Sequence, residues 1–381
     1  MQITEKKVYS SDSFIDRVLS DVKTRQENLF LNLKLDNLSK QGDLETLFNQ
    51  MDLLFELDQE EYTLKVPEFS INIFREKLFE ILGDENLDQQ LAKIIQNNSI
   101  FWKAGRFKFN LSKKPLIYGI LNITPDSFYD GGWYQNKSDI AKRIEEMIES
   151  GVDVIEVGGQ TTRPGFQEIA ASEELDRIES AIELIRSKYK NVAIAVDTYK
   201  YEVMEKVIKN VDIINDVNAF TDDQRKLELL KQSDVGLLTM HSARDKNYSN
   251  LTGEMKNFFE KNIDDLTKSG IDIDRIALDQ GVGYAKIADG YQDYAMMKNI
   301  DQFNYLRRPM MVAISRKGFG AKLFNLKKED RLEVTLIAEA YMYLHGGRIL
   351  RVHDLNETLQ LVKMLDVIRN GYWFGEKDGI S

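Results

Sequence analysis

The 381-residue chain contains no cysteine. That excludes disulfides and every thiolate-held zinc or iron–sulfur centre. Histidine is scarce, with three in the whole chain, and no His-x-x-x-His pair or comparable cluster exists to hold zinc. No apolar run approaches the roughly 18 residues needed to span a bilayer. The opening MQITEKKVYSSDSF has no apolar core after its lysines, so no secretory signal is expected. Positive charge is also in deficit, with 51 Lys+Arg against 62 Asp+Glu and a net charge of −11. A general nucleic-acid or membrane-surface binder would carry the opposite balance. A cytoplasmic protein with no nucleic-acid or membrane partner is the expectation, and a local cationic pocket remains compatible with it.

Hydrophobic residues are 43% and charged residues 30%, as in an ordinary globular protein long enough for one large domain and a small one. The charge is uneven. Residues 1–104 hold 12 Lys+Arg and 19 Asp+Glu, whereas the remainder holds 39 and 43. This places a boundary just before Arg106. The first segment reads as a small α/β appendage, a packing or oligomerisation module without a catalytic motif. Residues 1–26 suggest a polar helix or a loose arm, and Asn28 to Leu35 and Tyr62 to Val66 suggest strands. Helices are expected over Asp43–Leu54, with Asp43 as N-cap, and over Ile71–Leu82 and Leu87–Gln96.

From residue 105 to 373, apolar runs alternate with helical stretches; residues 374–381 read as a tail. Strands are expected at Leu116–Ile123, Val152–Val157, Val192–Val196, Asp212–Val217, Gly236–Met240, Ile276–Leu278, Met310–Ile314 and Ile349–Val352. A helix comes after each. Eight β–α units fit an α/β fold of the TIM (β/α)8 type, with a doubly wound sheet as the alternative. No glycine fingerprint of that alternative comes after the first strand. Arg106–Asn110 reads as a short lid over the barrel bottom.

Every strand ends in polar residues. The first delivers Asn122, Thr124 and Asp126, and the second a loop of Gly158-Gly159-Gln160-Thr161-Thr162-Arg163-Pro164-Gly165. The later strands end in Asp197-Thr198, Asn215-Asp216, Met240-His241 and Asp279-Gln280-Gly281, then Ser315-Arg316-Lys317-Gly318 and Arg351-Val352-His353-Asp354. Such a rim is where barrels of this type bind ligands. The cations Arg163, Lys317 and Arg351, with His353, suit an anionic leaving group. Asp197 and Asp279 suit a flat heterocycle with an amidine edge. A strand-end aspartate can equally be the N-cap of the next helix, which stays open for Asp197 and Asp216; Thr198 could take that role in place of Asp197. His345, beside Gly346-Gly347, reads as a helix cap. No Ser–His–Asp or Cys–His arrangement is evident.

The motif GILNxTPDSFxDGG at 119–132 resembles a signature of dihydropteroate synthase. VxxIEVGGQTTRPG, AVDTYK, IINDV, LDxGxGxxK, SRK and RVHD come next in that family's order, over about residues 105–370. The resemblance implies a transferase that joins 6-hydroxymethyl-7,8-dihydropterin pyrophosphate to 4-aminobenzoate, releasing 7,8-dihydropteroate and pyrophosphate. It implies that Asp197, Asn215, Asp279 and Lys317 line a pterin pocket, that Met240 and Tyr284 flank the ring, and that Arg351 stacks on it. Asn122, Arg351 and His353 would meet the pyrophosphate, with Asn122 near Mg²⁺. Thr162, Arg163, Pro164, Phe128 and Lys317 would form the aminobenzoate site, which sulfonamides also occupy. Lys317, Arg351 and His353 would be the catalytic groups, and a homodimer is the family precedent. Departures from the usual pattern are Glu156 for Asp, Gln160 for Glu, Gln280 for Pro, Ala285 for Gly, Ser242-Ala243-Arg244 for Met-Arg-Gly, and Gly318 for Ser. A weakly active or inactive pterin-binding paralogue and a pterin-dependent methyltransferase remain alternatives.

Overall fold

The computed structural model describes residues 1–6, 13–124, 137–160, 167–242, 247–284 and 290–375. They form two compact units, Ile100–Val362 and a smaller one made of Met1–Ser99 with Lys363–Ser381.

In the larger unit, eight parallel strands close into a barrel in sequence order. They are Leu116–Asn122, Val154–Gly158, Ala193–Asp197, Ile213–Asp216, Gly236–Met240, Ile276–Asp279, Met310–Val312 and Gly347–Val352. The last closes on the first, with Ile349 opposite Leu116 and Val352 opposite Gly119. Helices alternate with the strands, from Lys137–Glu149 to Leu355–Arg369. Parallel strands covered by helices are buried on both faces, which is why these segments are nearly continuous apolar runs. The expected strands and helices match these to within a few residues.

The barrel interior is set by the two-residue repeat of a strand. Tyr118, Val154, Ala193, Ala195, Ile213, Leu238, Ala277, Ala313 and Ile349 belong to one buried cluster. The bottom of that cluster is a β-hairpin, Phe101–Ala104 paired with Phe107–Asn110. Trp102 is fully buried, and its indole N–H donates to the Arg275 carbonyl at 2.9 Å. Arg106 clamps the buried Asp212 carboxylate through Nε at 2.9 Å and Nη2 at 2.7 Å. Gly236 lets the hairpin in, because a Cβ there would lie 2.8 Å from Ala104 Cβ. The lid expected at Arg106–Asn110 is therefore the second half of a plug that starts at Phe101. The boundary expected at 104/105 falls inside this hairpin, and the compact unit begins at Ile100.

The smaller unit has a four-stranded antiparallel sheet, ordered Gln2–Glu5, Asn28–Lys34, Glu61–Pro67, Leu54–Asp58. Leu29, Leu31, Leu33, Tyr62, Leu64 and Val66 alternate into its core, against Phe48 and Phe74. Tyr372 and Phe374 pack on the same core, so these residues belong here and not to a barrel ending at 373; the rest of the tail expected over 374–381 lies outside the described residues from 376 on. The arm expected over residues 1–26 contains a strand and the helix Phe14–Thr24. The helix expected at Asp43–Leu54 spans Gln41–Gln50, with Lys40 and not Asp43 at its N-cap position. Leu54–Asp58 is an edge strand, and its Leu54 is 70% exposed. Its alternation carries too little apolar contrast to be read as a strand.

Candidate active site

The interior repeat continues past the apolar layer and decides which rim residues face the barrel axis. Two residues beyond Ile120 comes Asn122, beyond Val154 comes Glu156, and beyond Ala195 comes Asp197. Ile213, Leu238 and Ala277 are succeeded in the same way by Asn215, Met240 and Asp279. Ala313 leads to Ser315, and Ile349 leads to Arg351 and then His353. A cavity of about 330 Å³ lies at this end, and all of these polar successors except Glu156 line it, with Met240, Tyr284 and Lys317. Asp197, Asn215, Asp279, Met240, Tyr284, Lys317, Asn122, Arg351 and His353 are thus brought together as expected from the sequence. Phe128, Thr162, Arg163 and Pro164 lie outside the described residues.

Residues of the opposite parity hold the frame. Asp216 takes the backbone N–H of Asn218 at 2.8 Å and of Phe220 at 3.1 Å, and pairs with the buried Lys226 at 2.8 Å. It organises the loop ahead of the next helix. Asp197 makes no such cap; Thr198 Oγ1 accepts the Lys200 N–H at 3.3 Å instead. His241 is buried among Tyr248, Phe258 and Phe259. Gln280 donates to the Met296 carbonyl at 2.9 Å. Arg316, in the left-handed region at φ 56°, forms a two-pronged pair with Asp354 at 2.7 and 2.8 Å. His345 takes its cap role at the end of Leu332–Leu344, with Nδ1 2.7 Å from the Tyr341 carbonyl.

Electrostatics inside the cavity derive from burial. Glu156, 1% exposed, accepts from Arg351 Nε at 2.8 Å and from its Nη2, and from Asn215 Nδ2 at 3.0 Å. Arg351 Nη2 also stands 3.4 Å from Asp197 Oδ2. Burial opposes the Arg351 charge, but the Glu156 and Asp197 carboxylates outweigh it and hold its pKa above the usual guanidinium range. Asp197 is pushed up to about 8, first by burial and then by the Glu156 charge. Burial also raises Asp279, against the pull of Lys317 and the Gly281 N–H, which bonds it at 2.9 Å. Lys317 is drawn down to about 8 by burial, with Asp279 opposing. Its ammonium donates to the Val282 carbonyl and lies 5.3 Å from the Tyr284 ring centre. Buried Oδ1 of Asp197 has no hydrogen-bond partner among the described residues. A buried acceptor without a donor is uncommon, and here it faces a cavity that can supply one.

The sequence reading missed Glu156 as a site group, and also Lys328 and Arg331, which line the cavity beyond the seventh strand. Strand parity would have found Glu156. Lys328 and Arg331 come after a six-residue helix, Phe319–Phe324, and carry no motif. Among the described residues no group of three His, Asp or Glu side chains could hold a metal ion.

Comparison with known proteins agrees with this geometry. Residues 118–353 match the pterin binding enzyme family. The dihydropteroate synthase of Bacillus subtilis is 34% identical over 259 residues, 68% of this chain and 90% of that protein. That of Clostridium beijerinckii is 32% identical over 268 residues, covering 70% and 98%. Among solved structures, Yersinia pestis dihydropteroate synthase with a sulfonamide drug complex aligns at a TM-score of 0.66 and 27% identity, over 71% of this chain and 99% of that one. The Xanthomonas albilineans enzyme with 4-aminobenzoic acid aligns at 0.65 and 27%, over 71% and 98%. With the family model matched over residues 118–353 of a closed barrel and relatives covered nearly end to end, the chain belongs to the dihydropteroate synthase family of pterin-binding enzymes.

Proposed function

We propose that the barrel condenses 6-hydroxymethyl-7,8-dihydropterin pyrophosphate with 4-aminobenzoate. The observation that carries this reading is the unpartnered Oδ1 of Asp197, buried in the same cavity as Asp279, Asn215 and Lys317. The 2-amino and ring N–H groups of a pterin are the donors such carboxylates lack, and charge-assisted bonds to them are worth about 1.5–3 kcal/mol each. Met240 and Tyr284 give the ring its apolar and aromatic walls. Arg351 and His353 hold the pyrophosphate, and His353 is oriented by Ser315 Oγ, 3.1 Å from its Nδ1.

In the reaction the bond from the pterin methylene carbon to the pyrophosphate oxygen breaks, and the electron pair leaves with the pyrophosphate. The electron-rich dihydropterin spreads the developing positive charge, while the Arg351 guanidinium meets the developing negative charge. The aromatic amine then bonds to the methylene carbon and releases one proton to water. Lys317, bonded to the Val282 carbonyl, lines the same cavity as Gly318, where the resemblance puts the aminobenzoate carboxylate. The family resemblance assigns Thr162, Arg163, Pro164 and Phe128, which lie outside the described residues, to that second site.

Mg²⁺ is the expected cofactor, with Asn122 as its protein ligand. A single amide oxygen and no acidic cluster among the described residues fit an ion carried mainly by phosphate oxygens and water. Held there by Asn122, it would supply positive charge against the leaving pyrophosphate. No helix among the described residues is long and apolar enough to cross a membrane. The reading carries with it a cytoplasmic homodimer, which sedimentation tests.

Mixing the chain with both substrates and Mg²⁺ and monitoring pyrophosphate and dihydropteroate decides the matter. Equimolar appearance of both products is expected. Pterin binding without turnover would identify a non-catalytic paralogue, and methyl transfer to a corrinoid would identify the other alternative.

A further inference from the structure

Glu156 is 1% exposed and bonds to two residues that line the cavity, yet it does not line it itself. It stands on the second barrel strand, two residues beyond interior Val154. Both of its oxygens are taken by protein donors from other strands. Oε1 receives Nε and Nη2 of Arg351 from the eighth strand, and Oε2 receives Nδ2 of Asn215 from the fourth. Arg351 and Asn215 do line the cavity.

We infer that Glu156 is the positioning residue that ties the two halves of the site together, fixing the leaving-group guanidinium and the pterin-side amide through one carboxylate. The inference rests on the reading of the cavity as a pterin pyrophosphate site. The geometry has two consequences. Asn215 is held with Nδ2 turned to Glu156, so its side-chain carbonyl is the group left for a ligand N–H. Arg351 is held off Asp197: its Nη2 is in a close pair with Glu156 but 3.4 Å from Asp197 Oδ2. Without the Glu156 charge, Asp197 is the strongest remaining partner for the guanidinium. The move would cover the carboxylate a pterin needs and withdraw the cation from the pyrophosphate. One substitution at a residue that touches neither substrate would thereby weaken both ends of the same molecule.

The test is steady-state kinetics on the full chain with each substrate varied in turn, for the wild type, Glu156→Gln and Glu156→Asp. Glu156→Gln keeps length and loses charge. It is expected to raise the KM for pterin pyrophosphate about tenfold or more, with the KM for aminobenzoate within about twofold of wild type. Glu156→Asp keeps the charge but is one methylene shorter, so a rise of about two- to fivefold is expected. A purely structural role would lower Tm and the active fraction, moving kcat while leaving both KM values in place. An unchanged pterin pyrophosphate KM in a folded Glu156→Gln protein overturns the inference, as does an equal rise in both KM values. Should Glu156→Gln not fold, an unchanged KM in Glu156→Asp overturns it alone. A wild type that binds 6-hydroxymethylpterin but forms no dihydropteroate would sink the synthase reading instead. The calorimetric affinity of the same variants for that pterin then decides the role of Glu156.

Discussion

Arg351 Nη2 approaches Asp197 Oδ2 at 3.4 Å, while Oδ1 of the same carboxylate is buried with no partner among the described residues. The pair is poised: the cation is near enough to temper the buried acid and too far to saturate it. Burial and the neighbouring Glu156 charge dominate, and Asp197 sits at about 8. A ligand that brings N–H donors to Oδ1 replaces lost hydration and favours the charged form.

Asp197→Asn should therefore cost at least one charge-assisted hydrogen bond to the pterin, about 1.5–3 kcal/mol, and raise its dissociation constant roughly ten- to hundredfold. Titration calorimetry with 6-hydroxymethylpterin measures it. A folded variant with wild-type affinity would remove Asp197 from the pocket's working set.

Glu339 offers a pH-dependent stability test away from the cavity. It is fully buried on the helix Leu332–Leu344; Thr358 Oγ1 donates to its Oε2 at 3.2 Å, and Oε1 has no partner among the described residues. Burial pushes it up to about 8 from an ordinary 4.5. Between those values the unfolded chain has released this proton and the native chain has kept it. Its contribution to stability is therefore complete below pH 4.5, falls as pH rises, and is lost above 8. Glu339→Gln mimics the neutral acid and removes the loss. Its stability relative to wild type should increase from about pH 5 to about pH 8 in urea unfolding, and a constant difference would show that Glu339 is ionised in the fold.

Trp102→Ala should destabilise the chain by about 3–5 kcal/mol through the lost indole and the cavity it leaves. The Arg275 carbonyl would lose a donor as well. Because the plug is at the opposite end of the strands from the cavity, kcat/KM measured well below the new Tm should stay within about twofold. For the same reason, a chain starting at Gly105 should be markedly less stable than one starting at Ile100, and denaturant midpoints of the two fragments compare them directly.

The barrel was legible because parallel strands buried on both faces leave unbroken apolar runs such as Leu116–Asn122. The rim was legible because polar groups interrupt those runs at one end. Sorting the rim needed one more physical step, the two-residue parity of the strand. That parity sends Asp197 and Asn215 inward and sends Thr198 and Asp216 to the helix caps and loop supports. It would also have placed Glu156 inside. The plug was cut at the wrong residue because charge, not packing, set the boundary; Phe101 and Trp102 are aromatic and neutral, so they left no mark on the charge balance. The strand Leu54–Asp58 was missed because an edge strand leaves even an apolar residue such as Leu54 exposed.

Gly318→Ser is the last test. Gly318 precedes the helix Phe319–Phe324 and has φ −73°, an ordinary right-handed conformation that serine adopts without strain. A Cβ placed there has nothing within 4 Å, so the added side chain enters open cavity space. The family resemblance puts a serine hydroxyl at this position, next to the aminobenzoate carboxylate. Restoring one neutral hydrogen bond is worth about 0.5–1.5 kcal/mol, or roughly two- to tenfold in affinity. Since that carboxylate lies far from the bond being broken, the gain should be equal in the ground and transition states. The variant should then lower the KM for aminobenzoate by about that factor, with kcat unchanged, and sulfonamide inhibition should strengthen in the same direction. Lys328 and Arg331 line the same cavity and offer the carboxylate a cationic alternative in the wild type. If they already carry its recognition, the serine will leave KM where it was, and Arg331→Ala will raise it instead.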